Sequence, residues 1–149
     1  RRWLHSLYPA APVHLGRVPQ DFRRPAFFMQ VARAGLDRPA AAVDRWWAEI
    51  VIAYYAQSLD DALAVAGDLV SRLAAGSLIP LYDYSLEPEQ PTGRHLRVQG
   101  SEVGPVEQDE GDQYVAEVRL RVAAPQAAAA AAGPEAPLIT AVRQGGSVE

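Results

Sequence analysis

Apolar positions along this chain change period several times, and each change marks an element. From Ala26 onward, Phe27, Met29 and Val31 alternate with Phe28, Gln30 and Ala32, the period of two of an extended strand. Pro19 and Pro25 bracket a loop ahead of it, because each fixes its own φ and drives the residue before it toward extended backbone. Pro25 opens the strand 26–33, where a missing N–H is tolerated. Residues 18–25, Val-Pro-Gln-Asp-Phe-Arg-Arg-Pro, thus read as an irregular basic elbow feeding an apolar strand. Upstream, Trp3, Leu4 and Leu7 share one face of a helix that Pro9 ends, and Val13 and Leu15 share a side of a short edge strand. Downstream, Gly35-Leu36-Asp37-Arg38-Pro39 carries turn residues and predicts a chain reversal.

Trp46 to Tyr55 alternates with large residues on both sides, Trp46, Ile50, Ile52 and Tyr54 against Trp47, Val51 and Tyr55. Such a strand is central and covered on both faces, or turns its second face to a partner subunit. A helix over 59–74 follows. Ser58 and Asp61 have capping-box spacing, Asp60 suits the positive end of the dipole, and Gly76 suits the left-handed position beyond the end. Leu59, Leu63, Ala66, Val70 and Leu73 form its apolar stripe, widened by Leu69. Residues 78–84 read as a short strand carrying Pro80, and 87–93 as a Pro-rich loop. Leu96, Val98 and Val103 define one arm of a long hairpin. Its other arm sets Tyr114, Ala116, Val118, Leu120 and Val122 against Glu117, Arg119 and Arg121. Between the arms lies the acidic tip Glu107, Asp109, Glu110 and Asp112. The expected fold is α+β, an antiparallel β-sheet packed against one main amphipathic helix plus an N-terminal helix. Residues 1–124 make one domain, and the Ala-, Gly- and Pro-rich stretch 125–149 is expected to be a flexible tail, since its alanines offer no apolar stripe to hold a helix to the core.

Composition narrows the function classes. A chain of 149 residues, 49% hydrophobic, fits one domain with one core. A net charge of −4 argues against a general nucleic-acid binder, and Arg23 and Arg24 do not reverse that balance. There is no cysteine, hence no disulfide or thiolate metal site. No apolar run approaches the ~18 residues of a membrane span and no signal-peptide pattern occurs, so the expectation is a soluble intracellular protein. The start at Arg1 rather than a methionine suggests that an initial segment is missing.

Candidate chemistry is sparse. His5, His14 and His95 lack second ligands at helical spacing, so no metal or other cofactor is expected. No phosphate loop, nucleophile elbow or zinc-protease motif occurs. Asp60 and Asp61 sit at a helix start, where capping and dipole compensation outweigh a reading as paired catalytic carboxylates. Trp46 and Trp47 read first as core and interface filler rather than a ligand platform. The acidic tip lacks the ligand spacing of a known calcium loop and reads as a solvated turn. No catalytic residue is assigned, and the protein is not expected to be an enzyme.

The segment Val18-Pro19-Gln20-Asp21-Phe22-Arg23-Arg24-Pro25-Ala26-Phe27-Phe28 is followed by an aromatic strand with Ile52-Ala53-Tyr54-Tyr55 and then by the amphipathic helix. That order resembles the tail terminator proteins of long-tailed phages and prophages, over about residues 1–123. In that family a longer helix precedes the elbow, of which Arg1 to Leu7 would be the last turns, and the alanine-rich tail has no counterpart. The resemblance implies a structural virion protein, assembled in the host cytoplasm. It would form a ring, a hexamer by resemblance, that caps the tail tube at its head-proximal end. Its partners would be itself, the tail tube protein and a head-completion or connector protein, with DNA only passing through the lumen and no membrane. Spacing does not single out the ring or tube contacts. The candidates are Phe22, Arg23 and Arg24 of the elbow, the outer face of the strand at Trp47, and the tip at Asp109 and Glu110. A head–tail connector or head-completion protein is the nearest alternative. A small-molecule-binding α+β module is another, and would need a closed apolar pocket where the terminator reading expects a filled core.

Overall fold

A computed structural model describes residues 1–40, 43–85, 88–109 and 111–124. The proposed tail, residues 125–149, lies outside the described residues. The order is α1 (Arg2–Leu7), β1 (Val13–Leu15), β2 (Ala26–Ala40), β3 (Val43–Ala56), α2 (Leu59–Arg72), β4 (Leu78–Asp83), β5 (Gln90–Gln108) and β6 (Tyr114–Ala123). The six strands form one sheet in the order β1-β2-β3-β6-β5-β4, so the fold is α+β. The sheet is mixed rather than antiparallel. β1 lies parallel to β2, Val13 opposite Phe27, because residues 16–25 carry the chain back across the sheet edge before β2 begins.

Several sequence expectations shift for identifiable reasons. The reversal expected at 35–39 does not occur there, since β2 continues to Ala40 with Leu36 opposite Trp46. Gly35 serves packing instead of turning: a Cβ on it would lie 3.0 Å from the Trp47 indole. The loop expected at 87–93 is already strand from Gln90, with Pro91 opposite Tyr82. Pro91 is tolerated because β6 pairs with β5 only from Arg97 onward, which leaves that end of β5 with a single neighbour. Farther along, Gly104 and Pro105 do not end β5. They lie within a register shift between Val103 and Val106, the bulge at which a sheet accepts proline.

One face of the sheet carries the core. Phe27, Ile52, Tyr54, Ala116, Val118, Leu120 and Val122 are buried there with α2 against them. The buried positions of α2 are Ala62, Ala66 and Leu69, joined by the cap residue Leu73. This face is rotated from the expected stripe: Leu63, about 90° round the helix from its centre at 100° per residue, is 50% exposed, and Leu59 is 41% exposed. The ends of α2 are well fixed. Asp61 N donates to Ser58 Oγ at 3.2 Å, and Ser101 Oγ of β5 donates to the Leu73 carbonyl at 2.9 Å. Gly76 takes φ +93°, and its N–H donates to Val98 O. Two tyrosines secure the helix laterally, Tyr54 Oη donating to Asp61 at 2.9 Å and Tyr8 Oη to Asp68.

Candidate functional site

At the near end of the second sheet face, the elbow is held by Arg24. Its side chain is only 10% exposed. The guanidinium donates to the carbonyls of Ala56 at 3.2 Å and Tyr114 at 3.1 Å and pairs with the Asp109 carboxylate. It also lies over the rings of Tyr55, at 5.0 Å, and Phe22, at 5.7 Å. Phe22 in turn meets Phe28 and Tyr55 edge-on, at 4.9 and 4.8 Å. Residues from the elbow, β3, the hairpin tip and β6 thus converge on one cation. Burial and the Asp109 charge raise the Tyr55 hydroxyl above its ordinary range.

The sequence candidates divide accordingly. Phe22, Arg24 and Asp109 are brought together as one cluster within the chain, whereas Arg23 points to solvent. Trp47 is remote, eight residues along β3 from Tyr55 and so about 26 Å away. Its Nε1 donates to Asp37 at 3.0 Å, Arg121 stacks over the ring at 4.6 Å, and Gly35 lies against it. Glu110 lies outside the described residues. Between the two ends, the face carries the pair Arg33–Glu49 at 2.7 Å and the pair Arg119–Glu117 at 3.2 Å, beside a shallow cleft of about 440 Å³. Charges of both signs line it, and its arginines already have carboxylate partners.

The opposite, core-bearing face holds a surface that sequence reading missed. α2 covers only part of it. Beyond Leu73 the sheet curls so that β1 and β2 at one end and β4 at the other both reach an apolar cleft of about 330 Å³, with α1 alongside. Met29, Val31, Ile50, Ile52, Leu96 and Leu120 form the floor, and Trp3, Tyr82 and Tyr84 stand at the walls. Arg1 is at the mouth, its guanidinium 5.9 Å from the Tyr84 ring centroid. The cleft is open and apolar at its β1–β2 side, where Leu15 is 56% and Val31 61% exposed. A signal for it existed in the sequence, since Met29, Val31 and Ile50 belong to strands whose apolar side exceeds what a helix of 14 residues can shield.

The titratable groups do not converge. His14 of β1 stacks on Phe28 at 4.9 Å at one edge of the sheet, His95 of β5 lies toward the other edge, and His5 lies in α1. Among the described residues no three His, Asp or Glu side chains are placed to hold a metal ion. No helix among them is long and apolar enough to cross a membrane. Compared with known protein families the chain matches none, and no curated protein matches it.

Proposed function

We propose that this chain is a structural subunit that assembles into a ring capping the tail tube of a long-tailed phage or prophage, at the junction with the head. The observation that carries the reading is the apolar cleft left open on the core-bearing face, together with exposed leucines on α2. A domain with one core has little use for that much uncovered apolar surface unless another protein covers it. The order of elbow, aromatic strand and helix adds the resemblance to tail terminators, in which α2 would be the principal cover of the sheet. Within the ring the Arg24 cluster would fix the elbow and hairpin tip, and Arg23, the Trp47 end of the sheet and the tip would add to the contacts made by the cleft and the α2 leucines. The test is co-sedimentation of the purified chain with tail tubes and, separately, with heads. Binding to tubes with formation of a ring is expected. Binding to heads alone would favour a connector, and a strict monomer with both would sink the reading.

The cleft also favours a second reading, a small-molecule-binding module, because about 330 Å³ of apolar space lies at the lower end of ligand-site volumes. Titration with an apolar fluorescent probe separates the two. A ring subunit loses probe binding as it assembles, whereas a binding module retains it at every protein concentration.

A further inference from the structure

The geometry points to the contact between ring neighbours: the solvent side of α2 in one copy seats in the apolar cleft of the next. This rests on the ring reading above and names the surfaces it would use. On α2 the exposed side presents Leu59, Leu63, Ala64 and Gly67, with Asp60 its charged member there. The other charged residues, Asp61, Asp68 and Arg72, lie on the opposite flank, where Asp61 and Asp68 are engaged by Tyr54 and Tyr8. Gly67 is the second observation. It lies in mid-helix, where glycine is unfavourable by roughly 0.5–1 kcal/mol relative to alanine. A Cβ built there meets nothing within 4 Å, so packing within the chain does not call for a glycine. A second copy seated against the helix backbone would make use of it.

Charge agrees with that partner. Arg1, which lines the cleft, and Arg2 beside it both pair with the single carboxylate of Glu89, at 3.0 and 3.4 Å, so that positive charge is in excess in this group among the described residues. Asp60 makes no ion pair among the described residues and stands beside Leu59 and Leu63, placed to meet that excess. The two surfaces cannot meet within one copy. Leu63 lies ten residues before Leu73, which lines the cleft, a separation of about 15 Å along the helix. Knob and cleft are therefore different patches, and their pairing is head-to-tail, the arrangement that closes into a ring when the rotation permits.

Sedimentation of the full chain, alone and with tail tubes, tests this through two variants at exposed positions, Leu63→Asp in the knob and Val31→Asp in the cleft. Each should melt as wild type yet weaken self-association by at least ~10-fold. An equimolar mixture should recover one sound interface and stop at a heterodimer. Gly67→Ala should raise the melting temperature while weakening assembly, a pairing of effects that a purely structural glycine would not produce. Asp60→Arg should weaken assembly most at low salt. If wild type assembles and both aspartate variants assemble equally well, or if neither does and the mixture stays monomeric, the knob-in-cleft contact is overturned while the ring reading stands. If wild type remains monomeric even with tail tubes, both fall together. Should either aspartate variant fail to fold, Leu63→Lys and Leu15→Asp repeat the cycle at positions equally exposed.

Discussion

Arg24 shows how much can depend on one side chain in an otherwise irregular segment. Its guanidinium satisfies two strand-end carbonyls, pairs with Asp109 and lies over two aromatic rings, all from a position near the start of β2. Arg24→Ala should therefore cost about 2 kcal/mol, since it strands buried carbonyls and removes a charge-assisted contact. Arg24→Lys should recover little of that, because an ammonium cannot make the forked contacts or stack in the same way. Arg23→Ala, one position away and in solvent, should stay within about 0.5 kcal/mol of wild type. Chemical denaturation of the three variants measures this directly, and equal losses at both arginines would show that the cluster does not hold the elbow. A similar contrast applies in α2. Leu69→Asp places an unpaired charge in the core and should unfold the domain, while Leu63→Asp, at half-exposed Leu63, should remain folded.

At the scale of elements, period and punctuation made most of the fold legible. The helix start at Ser58, the alternation of β6 and the apolar sides of β2 and β3 follow from local rules that tertiary structure leaves intact. Elsewhere tertiary contacts override local preference. Gly35 looks like a turn residue but makes room for an indole, and the Pro-rich stretch 87–93 looks like a loop but is strand from Gln90, on an end of β5 with a single neighbour. In α2 the large leucines at 59 and 63 suggest a core stripe, but the alanines at 62 and 66 are the buried positions and let the helix approach the sheet. The Arg24 cluster was unreadable from spacing, as its members are separated by up to 90 residues. The tyrosine links of α2 predict a pH response. Burial first, then the hydrogen bonds to Asp61 and Asp68, raise the Tyr54 and Tyr8 hydroxyls far above their ordinary range. A folded-state pKa raised in this way contributes stability that is full below about pH 10, the unfolded value, and is lost as pH climbs toward the folded one. Asp68 works in the opposite direction. Its hydrogen bond to Arg72, then that to Tyr8, lowers its pKa, so its contribution is present above the ordinary carboxylate range and fades only as pH falls below it. Melting temperature should thus fall steeply on the alkaline side. Tyr54→Phe should cost about 1 kcal/mol near neutrality and flatten that limb, and an unchanged alkaline profile would mean that Tyr54 does not supply it.

For the molecule as a whole, the hairpin tip joins structure to the ring reading. The structure ties one of its acids down: Asp109 pairs with Arg24, and its N–H donates to Gln113 O at 2.9 Å, closing the hairpin. Glu107 and Asp112 are exposed beside it, and Glu110 completes the acidic run in the sequence. Glu107 lies within β5 opposite Val115, and Asp112 lies in the turn. In the proposed ring, a polar hairpin turn would face the lumen or a neighbouring ring. If it faces the lumen, three acids per subunit repel phosphate and keep passing DNA from adhering to the wall. Exposed charges are screened over about 8 Å at physiological ionic strength, so the effect should weaken with added salt. The substitution that isolates this role is Glu107→Gln with Glu110→Gln and Asp112→Asn, leaving Asp109 in place, because removing Asp109 would loosen the elbow and confuse charge with stability. The triple variant should fold and assemble as wild type, while particles built from it eject DNA more slowly at low salt and approach the wild-type rate at high salt. Ejection at the wild-type rate under both conditions would assign these charges to solubility and move the lumen to another surface of the subunit.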